Sequence, residues 1–178
     1  MKKILLPFLL GLSSLASAQQ DAKICPHVSP ANGVFSSERL YRSSRIAIEN
    51  GNEKSTIKII LYKQKNKNCE SQVVANYEIE GSNPIVDSLF FERLHGKTNL
   101  FTIVHWNINH RGLGTYGSLY QVYAYKDDGL GRLIENKEIT ENNKMTGIDG
   151  YDTGVESSFQ FKTANSVRKF LTNGVTHP

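Results

Sequence analysis

The segment at 105–111 contains two histidines, a tryptophan and an arginine, the residue types in this chain most able to do chemistry. His105 and His110 are poor metal ligands as a pair, because residues five apart in a strand point to opposite faces. No cysteine or carboxylate stands close enough to complete a common ligand spacing. The alternatives are a polar strand end with its loop, or a recognition loop in which Trp106, His110 and Arg111 anchor a protein interface.

Glycines continue this loop at Gly112, Gly114 and Gly117, with Tyr116 among them. Their spacing has the letters of a dinucleotide-binding fingerprint, but that motif requires the glycines to open a helix inside a βαβ unit. A strand pattern follows here at once, so we expect no nucleotide site. What remains is a loop whose glycines permit close backbone approach and positive φ angles.

A second cluster, at 146–154, combines Asp149 and Asp152 with Tyr151 and three glycines. Its oxygens suit a hard cation such as calcium, but the spacing is not that of an EF-hand loop. The alternative is a long turn between strands. If the fold places this acidic loop beside Tyr116 and Trp106, it forms an aromatic and charged contact surface. The residues expected to contact a partner are therefore Trp106, His110, Arg111, Tyr116, Asp149 and Tyr151.

Catalytic motifs are missing from the sequence. It contains no Gly-x-Ser-x-Gly elbow, no His-Glu-x-x-His metal motif and no pairing of a cysteine nucleophile with a histidine. Carboxylates could still meet in space as a glycosidase-like pair, although nothing in the sequence selects two of them. The candidates are Glu78, Glu80, Asp87, Glu92, Asp149 and Asp152. We therefore expect a protein that is not an enzyme and that needs no metal and no cofactor.

The N-terminal residues carry the three parts of a secretory signal. Two lysines give a positive start, residues 4–15 are mostly apolar, and Ala16-Ser17-Ala18 forms a small-x-small cleavage site. We expect residues 1–18 to be removed as a signal peptide, which leaves a single mature domain at 19–178 in the periplasm. The apolar stretch is shorter than the roughly 20 residues of a membrane-spanning helix, so no membrane anchor is expected after cleavage.

Charge argues against nucleic acid as a partner. The whole chain has a net charge of +4, and two of its positive charges are lysines of the predicted signal, which leaves +2 for the mature domain. The basic run at 58–67 has four lysines, no arginine and no interleaved base-stacking pattern. Such a run is typical of a solvated hairpin end. A nucleic-acid-binding domain needs a stronger and more clustered positive patch.

Cys25 and Cys69 are the two cysteines of the chain. An even pair in an exported protein predicts a disulfide bond. Closing a loop of this length removes chain entropy equivalent to roughly 4 kcal/mol from the unfolded state. The bond would hold the N-terminal segment, which contains Pro26, Pro30 and Gly33, against the body of the fold. A catalytic thiol is the alternative, but a nucleophilic cysteine must remain a free thiolate.

The rest of the mature sequence has the pattern of strands separated by polar turns, spaced about 8 to 15 residues apart. The predicted strands are 45–49, 56–62, 72–80, 87–94, 100–107, 118–126 and 132–139, with a last strand at Phe159 and Phe161. At 163–172, the i, i+3, i+4 spacing of Val167, Phe170 and Leu171 predicts a short helix. We expect a mainly β domain, an antiparallel meander or sandwich of about seven to eight strands with one short C-terminal helix.

Three stretches carry a resemblance to a known family: Tyr120-Gln-Val-Tyr-Ala-Tyr125, Gly147-Ile-Asp-Gly-Tyr151 and Phe161-Lys-Thr-Ala164. With them, residues 100–171 resemble small exported proteins of Gram-negative bacteria that accompany toxins of interbacterial secretion systems. The resemblance implies an immunity or inhibitor protein that binds a toxic enzyme in the periplasm and blocks its active site. It implies no particular functional residue. A disulfide-fixed scaffold suits this role, because it lowers the ordering cost of binding.

The competing hypothesis is a cell-envelope glycan-binding module or glycan-acting enzyme. In that case Trp106, Tyr116 and Tyr151 would stack on sugar rings, and a carboxylate pair would serve as acid and base. A deep pocket that holds two carboxylates would favour this hypothesis. A protruding loop, or a convex polar and aromatic patch near His110 and Arg111, would favour the inhibitor.

Overall fold

The computed structural model of the protein describes residues 24–51 and 56–174, and the predicted signal peptide at 1–18 lies outside these ranges. Ten strands and two α-helices follow one another along the described chain. The strands are β1 (Val34–Ser36), β2 (Ser44–Asn50), β3 (Ile57–Lys65), β4 (Asn68–Tyr77), β5 (Ile85–Leu94), β6 (Lys97–His110), β7 (Thr115–Asp127), β8 (Leu133–Glu135), β9 (Thr146–Asp152) and β10 (Val155–Ser157). The helices are α1 (Lys137–Thr140) and α2 (Ala164–Gly174).

The strands form two antiparallel sheets. The smaller sheet has the order β1-β2-β3-β4, so that neighbours in sequence are neighbours in space. The larger, central sheet has the order β10-β9-β7-β6-β5, and β8 pairs with the part of β7 that β9 leaves free. β6 and β7 are the longest strands, with 14 and 13 residues, and their hairpin forms the middle of the central sheet.

The central sheet is covered on both faces, which gives the domain three layers. Side chains of β6 alternate between the two faces. Leu100, Val104 and Trp106 contact the smaller sheet. Phe101 and Ile103 point instead into a second core that α2 closes. All five side chains are buried, and this strand is apolar on both sides because each face has its own hydrophobic core.

The C-terminal helix forms where the apolar spacing predicts it. The Thr163 hydroxyl oxygen accepts a hydrogen bond from the Ser166 backbone N–H at 3.2 Å, as the side chain of an N-cap residue does. Val167 and Leu171 are buried in the core beneath the helix. No helix in the described part of the chain is long and apolar enough to span a membrane.

Cys25 and Cys69 form a disulfide bond, which confirms the prediction. Both cysteines are buried, and Cys69 is the second residue of β4. The bond therefore attaches the irregular N-terminal segment to the smaller sheet. The two cysteines are 44 residues apart in sequence, so the bond restricts a large part of the unfolded chain.

The mainly antiparallel β class and the short C-terminal helix are confirmed, but residues 132–139 do not form one strand. β8 ends at Glu135, and Asn136 turns the chain into α1. Asn136 is buried and donates its side-chain N–H to Asn99 Oδ1 at 3.0 Å. Its carbonyl oxygen accepts the backbone hydrogen bonds that begin the helix. The strand β8 therefore ends just before Asn136, whose buried side chain is hydrogen-bonded to Asn99.

Two further local predictions are wrong. The cluster predicted as a long turn at 146–154 is mostly strand β9, because β7 provides it with a hydrogen-bonded partner. Phe159 and Phe161 are not in a strand. Phe159 stacks on Tyr120, with ring centroids 5.4 Å apart, and Phe161 contacts Phe170 of α2. The described chain has ten strands, because the alternation in the sequence does not predict β1, β9 and β10.

Candidate functional site

The β6–β7 hairpin extends beyond β5 at one end of the central sheet. The pairing of β5 with β6 begins at Ile85 opposite His105, so residues 106–110 of β6 continue past the end of β5. Five residues of extended strand span about 17 Å. The shorter β9–β10 hairpin runs along the β7 side of this extension. The sheet therefore ends in two hairpin turns that lie side by side.

Hydrogen bonds fasten the two turns to each other. The Gly154 N–H donates to the Gly114 carbonyl at 2.9 Å, and the Thr153 N–H donates to Thr115 Oγ1 at 3.1 Å. The Thr115 hydroxyl also reaches Asp152 Oδ1 at 3.5 Å. Loops that are ordered in this way before binding lose less entropy when they meet a partner.

Three of the residues expected to contact a partner meet on these hairpins. The rings of Tyr116 and Tyr151 stack with centroids 4.8 Å apart and an interplanar angle of 20°. The Arg111 guanidinium lies 4.5 Å from the Tyr116 ring centroid, close enough for cation–π attraction. Tyr116 and Tyr151 are directly opposite in the β7–β9 register, which places both rings on one face of the sheet.

Gly117 and Gly150 make this stacking possible. They lie opposite each other in the β7–β9 register, with φ of 133° and 145°. A Cβ at Gly117 would lie 2.3 Å from the Asp149 carbonyl oxygen, and one at Gly150 would lie 2.4 Å from the Tyr116 carbonyl oxygen. The two backbones approach this closely only because both residues are glycine. The approach brings the adjacent Tyr116 and Tyr151 into ring contact.

Two exposed apolar side chains belong to the same two hairpins as the stacked rings. Leu113, in the β6–β7 turn, is 76% exposed, and Val155, at the start of β10, is 67% exposed. We call this surface the tip patch, and its members are Arg111, Leu113, Tyr116, Tyr151 and Val155. Exposed apolar surface with a polar rim marks interaction sites, and tyrosine and arginine are enriched at binding hot spots.

Asp149 lies two residues before Tyr151 on β9, and its carboxylate is already engaged. Oδ1 accepts hydrogen bonds from Lys162 Nζ at 2.8 Å and from Ser158 Oγ at 3.3 Å. The bond from Lys162 is the main reason that the pKa of Asp149 falls below its ordinary value. The pair ties β9 to the chain that leads into α2. Within the described ranges, no group of three or more His, Cys, Asp or Glu side chains could hold a metal ion.

Trp106 and His110 do not join the tip patch. Trp106 faces the smaller sheet, is 1% exposed and donates its indole N–H to the Glu78 carbonyl at 2.7 Å. The alternation of β6 directs its side chain into the core against the smaller sheet. His110 is exposed at the end of β6, next to Arg111, and pairs with Thr115 across the hairpin.

Leu113 and Val155 are the tip-patch residues that the sequence analysis misses. Both are apolar residues with glycine or polar neighbours in a turn-like context. The isolated leucine between Gly112 and Gly114 is the signal that could have drawn attention to this turn. The exposure of Leu113 follows from the position of the turn at the end of a long hairpin, which no local pattern encodes.

A cleft of about 400 Å³ opens on the other face of the central sheet, between β4 and the strands β7 and β8. Its walls include Glu78, Glu80, Glu135 and the ring of Tyr123. Burial, followed by the charges of Glu80 and Glu135, raises the pKa of Tyr123 to about 12. The phenol therefore stays protonated at neutral pH. We call this feature the acidic cleft.

Asp87 and His105 form a third polar feature, on the α2 face of the central sheet. Asp87 is the extra residue of a β-bulge between Val86 and Ser88. The bulge changes the direction in which the Asp87 side chain points. Its Oδ2 lies 2.7 Å from His105 Nδ1. The Tyr120 ring is 5.2 Å from the imidazole.

Comparison of the chain with protein-family models, with curated proteins and with solved structures finds no match. Function is therefore inferred from the surfaces themselves. The stacked rings of the tip patch and the acidic cleft lie on opposite faces of the central sheet.

Proposed function

We propose that this protein is an exported, protein-binding inhibitor that occludes the active site of a toxic enzyme, in the manner of an immunity protein. The observation that carries the proposal is the tip patch. It presents stacked tyrosines, an arginine and two exposed apolar side chains on two hairpins that are fastened together. A convex and rigid surface of this composition suits a concave site on another protein.

Rigidity is the feature that favours binding. The Gly114–Gly154 hydrogen bond and the Tyr116–Tyr151 stack order the tip before any partner arrives. Such preorganisation lowers the entropic cost of association. Complete burial of the exposed Leu113 side chain would contribute roughly 1.5–3 kcal/mol. One inserted turn could therefore supply a hot spot for the whole interface.

Two further features support an inhibitor. The disulfide bond suits an oxidising compartment, to which the predicted signal peptide would deliver the domain. The resemblance to exported immunity proteins spans residues 100–171, which include most of β6 and all of β7, β9 and β10. These are the strands that build the tip patch. The expected partner is therefore an exported or envelope enzyme whose substrate cleft receives the tip.

Affinity purification of the tagged mature protein from envelope extracts tests the proposal, in cells that also express the neighbouring reading frame of its operon. The expected result is a single stoichiometric partner whose toxicity the protein neutralises. Leu113→Asp should weaken the purified complex by about thirtyfold, because losing a hot spot costs about 2 kcal/mol or more. Leu130→Asp is the matched control. Leu130 is 86% exposed at the opposite end of β7 and should leave the affinity unchanged.

Arg111→Ala and Tyr151→Ala should also reduce neutralisation. They remove the two groups that contact the Tyr116 ring, one by cation–π attraction and one by stacking. A complex whose affinity depends on Leu130 rather than on Leu113 would contradict the proposal. Recovery of no protein partner, together with retention of the protein on peptidoglycan, would contradict it as well.

A glycan-binding role is the second candidate, and the acidic cleft is the observation that favours it. Three exposed glutamates line the cleft, and carboxylates are the acid and base groups that a glycan-acting site needs. The aromatic residues are less suitable, because Tyr116 and Tyr151 cover each other on the opposite face and Trp106 is buried. Retention on peptidoglycan that is abolished by Glu80→Gln and Glu135→Gln would favour this role over inhibition.

A further inference from the structure

The acidic cleft borders an exposed strand edge. β4 is the last strand of the smaller sheet and pairs with β3 alone, so one side of its backbone has no strand partner among the described residues. Its ten residues include no lysine, arginine or proline, and Glu70 is its one charged residue. Natural sheets often protect a long edge with lysine, proline or a β-bulge. In β4 the register shift lies at 73–75, on the side that pairs with β3, and the backbone on the other side has no strand partner up to Tyr77. Val73, in the middle of β4, is 57% exposed.

The cleft continues from this edge into the domain. Its volume of about 400 Å³ is within the size range of ligand sites in proteins. Ala75 and Glu78 lie on the wall that is formed by β4 and the chain after it. Tyr123, Tyr125 and Glu135 lie on the opposite wall, which is formed by β7 and β8. A strand added to β4 would therefore place side chains in a concave site with aromatic walls.

Every charged side chain that lines the cleft is acidic. Glu78, Glu80 and Glu135 are exposed, and none of them forms an ion pair within the described part of the chain. The whole chain has a net charge of +4, so the cleft is a local reversal of sign. Carboxylates and tyrosine rings together attract ammonium and guanidinium groups, through ion pairing and cation–π contact.

We propose that the free edge of β4 and the acidic cleft form one docking groove for an extended polypeptide segment that carries lysine or arginine side chains. The segment adds a strand to β4 through backbone hydrogen bonds. Every second side chain, about 7 Å from the next on the same face, points into the cleft toward the glutamates. The groove and the Tyr116–Tyr151 stack lie on opposite faces of the central sheet, so this binding is separate from the proposed inhibition.

A synthetic eight-residue peptide tests the groove. Lysine alternates in it with threonine and valine, and its ends are acetylated and amidated. Calorimetric titration should detect binding that weakens as salt is raised, because salt screens exposed charges. The same peptide with glutamate in place of lysine should not bind. Methylation of the backbone amide nitrogens should abolish binding, because a methylated peptide cannot pair with β4. Trp106, the single tryptophan of the chain, lines the cleft and gives a fluorescence readout.

Substitutions distinguish the cleft from the rest of the surface. Glu80→Gln/Glu135→Gln should bind the lysine peptide about tenfold more weakly, since it removes two partly exposed ion pairs. Glu38→Gln/Glu156→Gln is the matched control, because it removes the same charge from two exposed glutamates outside the cleft. Leu113→Asp should leave peptide binding unchanged. The proposal for the groove and the proposal for the tip patch can therefore be contradicted separately.

Several results would overturn the proposal. The first is no binding of the lysine peptide, and the second is equal binding of its methylated form. The third is unchanged binding of the lysine peptide by the glutamine double variant. The fourth is that spermidine, a polyamine without a peptide backbone, binds as tightly as the peptide. Binding of a peptidoglycan oligosaccharide in place of the peptide would also overturn it and would assign the cleft to glycan. Thermal unfolding should show that each variant is folded, since the substituted glutamates are exposed.

Discussion

At the scale of single residues, tyrosine has two different roles in this protein. Tyr77 and Tyr125 are buried between the sheets, where the Tyr77 hydroxyl lies 2.6 Å from Thr102 Oγ1 and 2.9 Å from the Tyr125 hydroxyl. Burial raises the pKa of both phenols above the ordinary value, so these groups stay neutral in the core. Tyr116 and Tyr151 instead stack at the surface of the hairpin tips. The buried pair satisfies polar groups in the core, whereas Tyr116 is half-buried and stacks on Tyr151, which is 37% exposed.

Tyr123, on the wall of the acidic cleft, should ionise at about pH 12. Burial is the largest cause of this raised pKa, and the charges of Glu80 and Glu135 raise it further above the ordinary value of 10.0. Because the folded pKa exceeds the unfolded one, the contribution of Tyr123 to stability is fully present below about pH 10. That contribution is lost as the pH rises to about 12. Carbon NMR of a labelled Tyr123 ring measures the midpoint.

The glutamine double variant provides the control for this titration. Glu80→Gln/Glu135→Gln should lower the midpoint of Tyr123, because two neighbouring negative charges are removed. The midpoint should stay above 10, because burial of the ring is unchanged. A midpoint near 10 in the unsubstituted protein, or one that does not move in the variant, would show that Tyr123 is not placed beside these glutamates.

At the scale of secondary-structure elements, the register between β7 and β9 determines the tip patch. It places Tyr116 opposite Tyr151, and Gly117 opposite Gly150. A shift of one residue would turn Tyr151 to the other face of the sheet, because side chains alternate along a strand. The stacked rings therefore depend on strand pairing, and they should separate when that pairing is disturbed.

Gly117→Ala should destabilise the protein by about 2–4 kcal/mol. The added Cβ would lie 2.3 Å from a backbone oxygen of β9, and a φ of 133° is strained for alanine. Chemical denaturation measures the loss. Gly112→Ala is the matched control in the same hairpin, because nothing lies within 4 Å of its added Cβ, and it should change stability by less than about 0.5 kcal/mol. Equal losses for the two variants would refute the close approach of β7 and β9.

At the scale of the whole molecule, the features predicted from the sequence are those that depend on nearby residues. Alternation at 100–107 and 118–126 identifies β6 and β7, because the period of two is a local property of strands. The spacing of Val167, Phe170 and Leu171 identifies α2 for the same reason. The disulfide is predicted because a chain with two cysteines leaves only one pairing between them.

Features that depend on distant residues could not be predicted. Asn136 ends β8 through a hydrogen bond to Asn99, 37 residues away in sequence. Trp106 has an apolar environment on either face of β6, so alternation does not reveal which face it occupies. The residue types of the tip patch were recognisable in the sequence, but the contact between Tyr116 and Tyr151 follows from a β7–β9 register that no local pattern specifies.

Removing the disulfide should lower the free energy of unfolding by about 2–4 kcal/mol. The bond joins Cys25 to Cys69 at the start of β4, far along the chain from the tip patch, and acts mainly on the unfolded state. Urea denaturation of Cys25→Ser/Cys69→Ser measures the loss. A reductant should produce a similar loss in the unsubstituted protein and no effect in the variant. A variant as stable as the unsubstituted protein would contradict this role.

Photo-cross-linking from the end of the β6–β7 hairpin tests most directly whether the tip patch binds a protein. A benzophenone side chain is placed at Leu113 and, in a second protein, at Leu130. These leucines are 76% and 86% exposed at opposite ends of β7. In the cells that produce the protein, we expect one discrete protein adduct from Leu113 and none from Leu130. An adduct from Leu130 alone, equal adducts from both positions, or no adduct from Leu113 would contradict the proposed role of the tip patch.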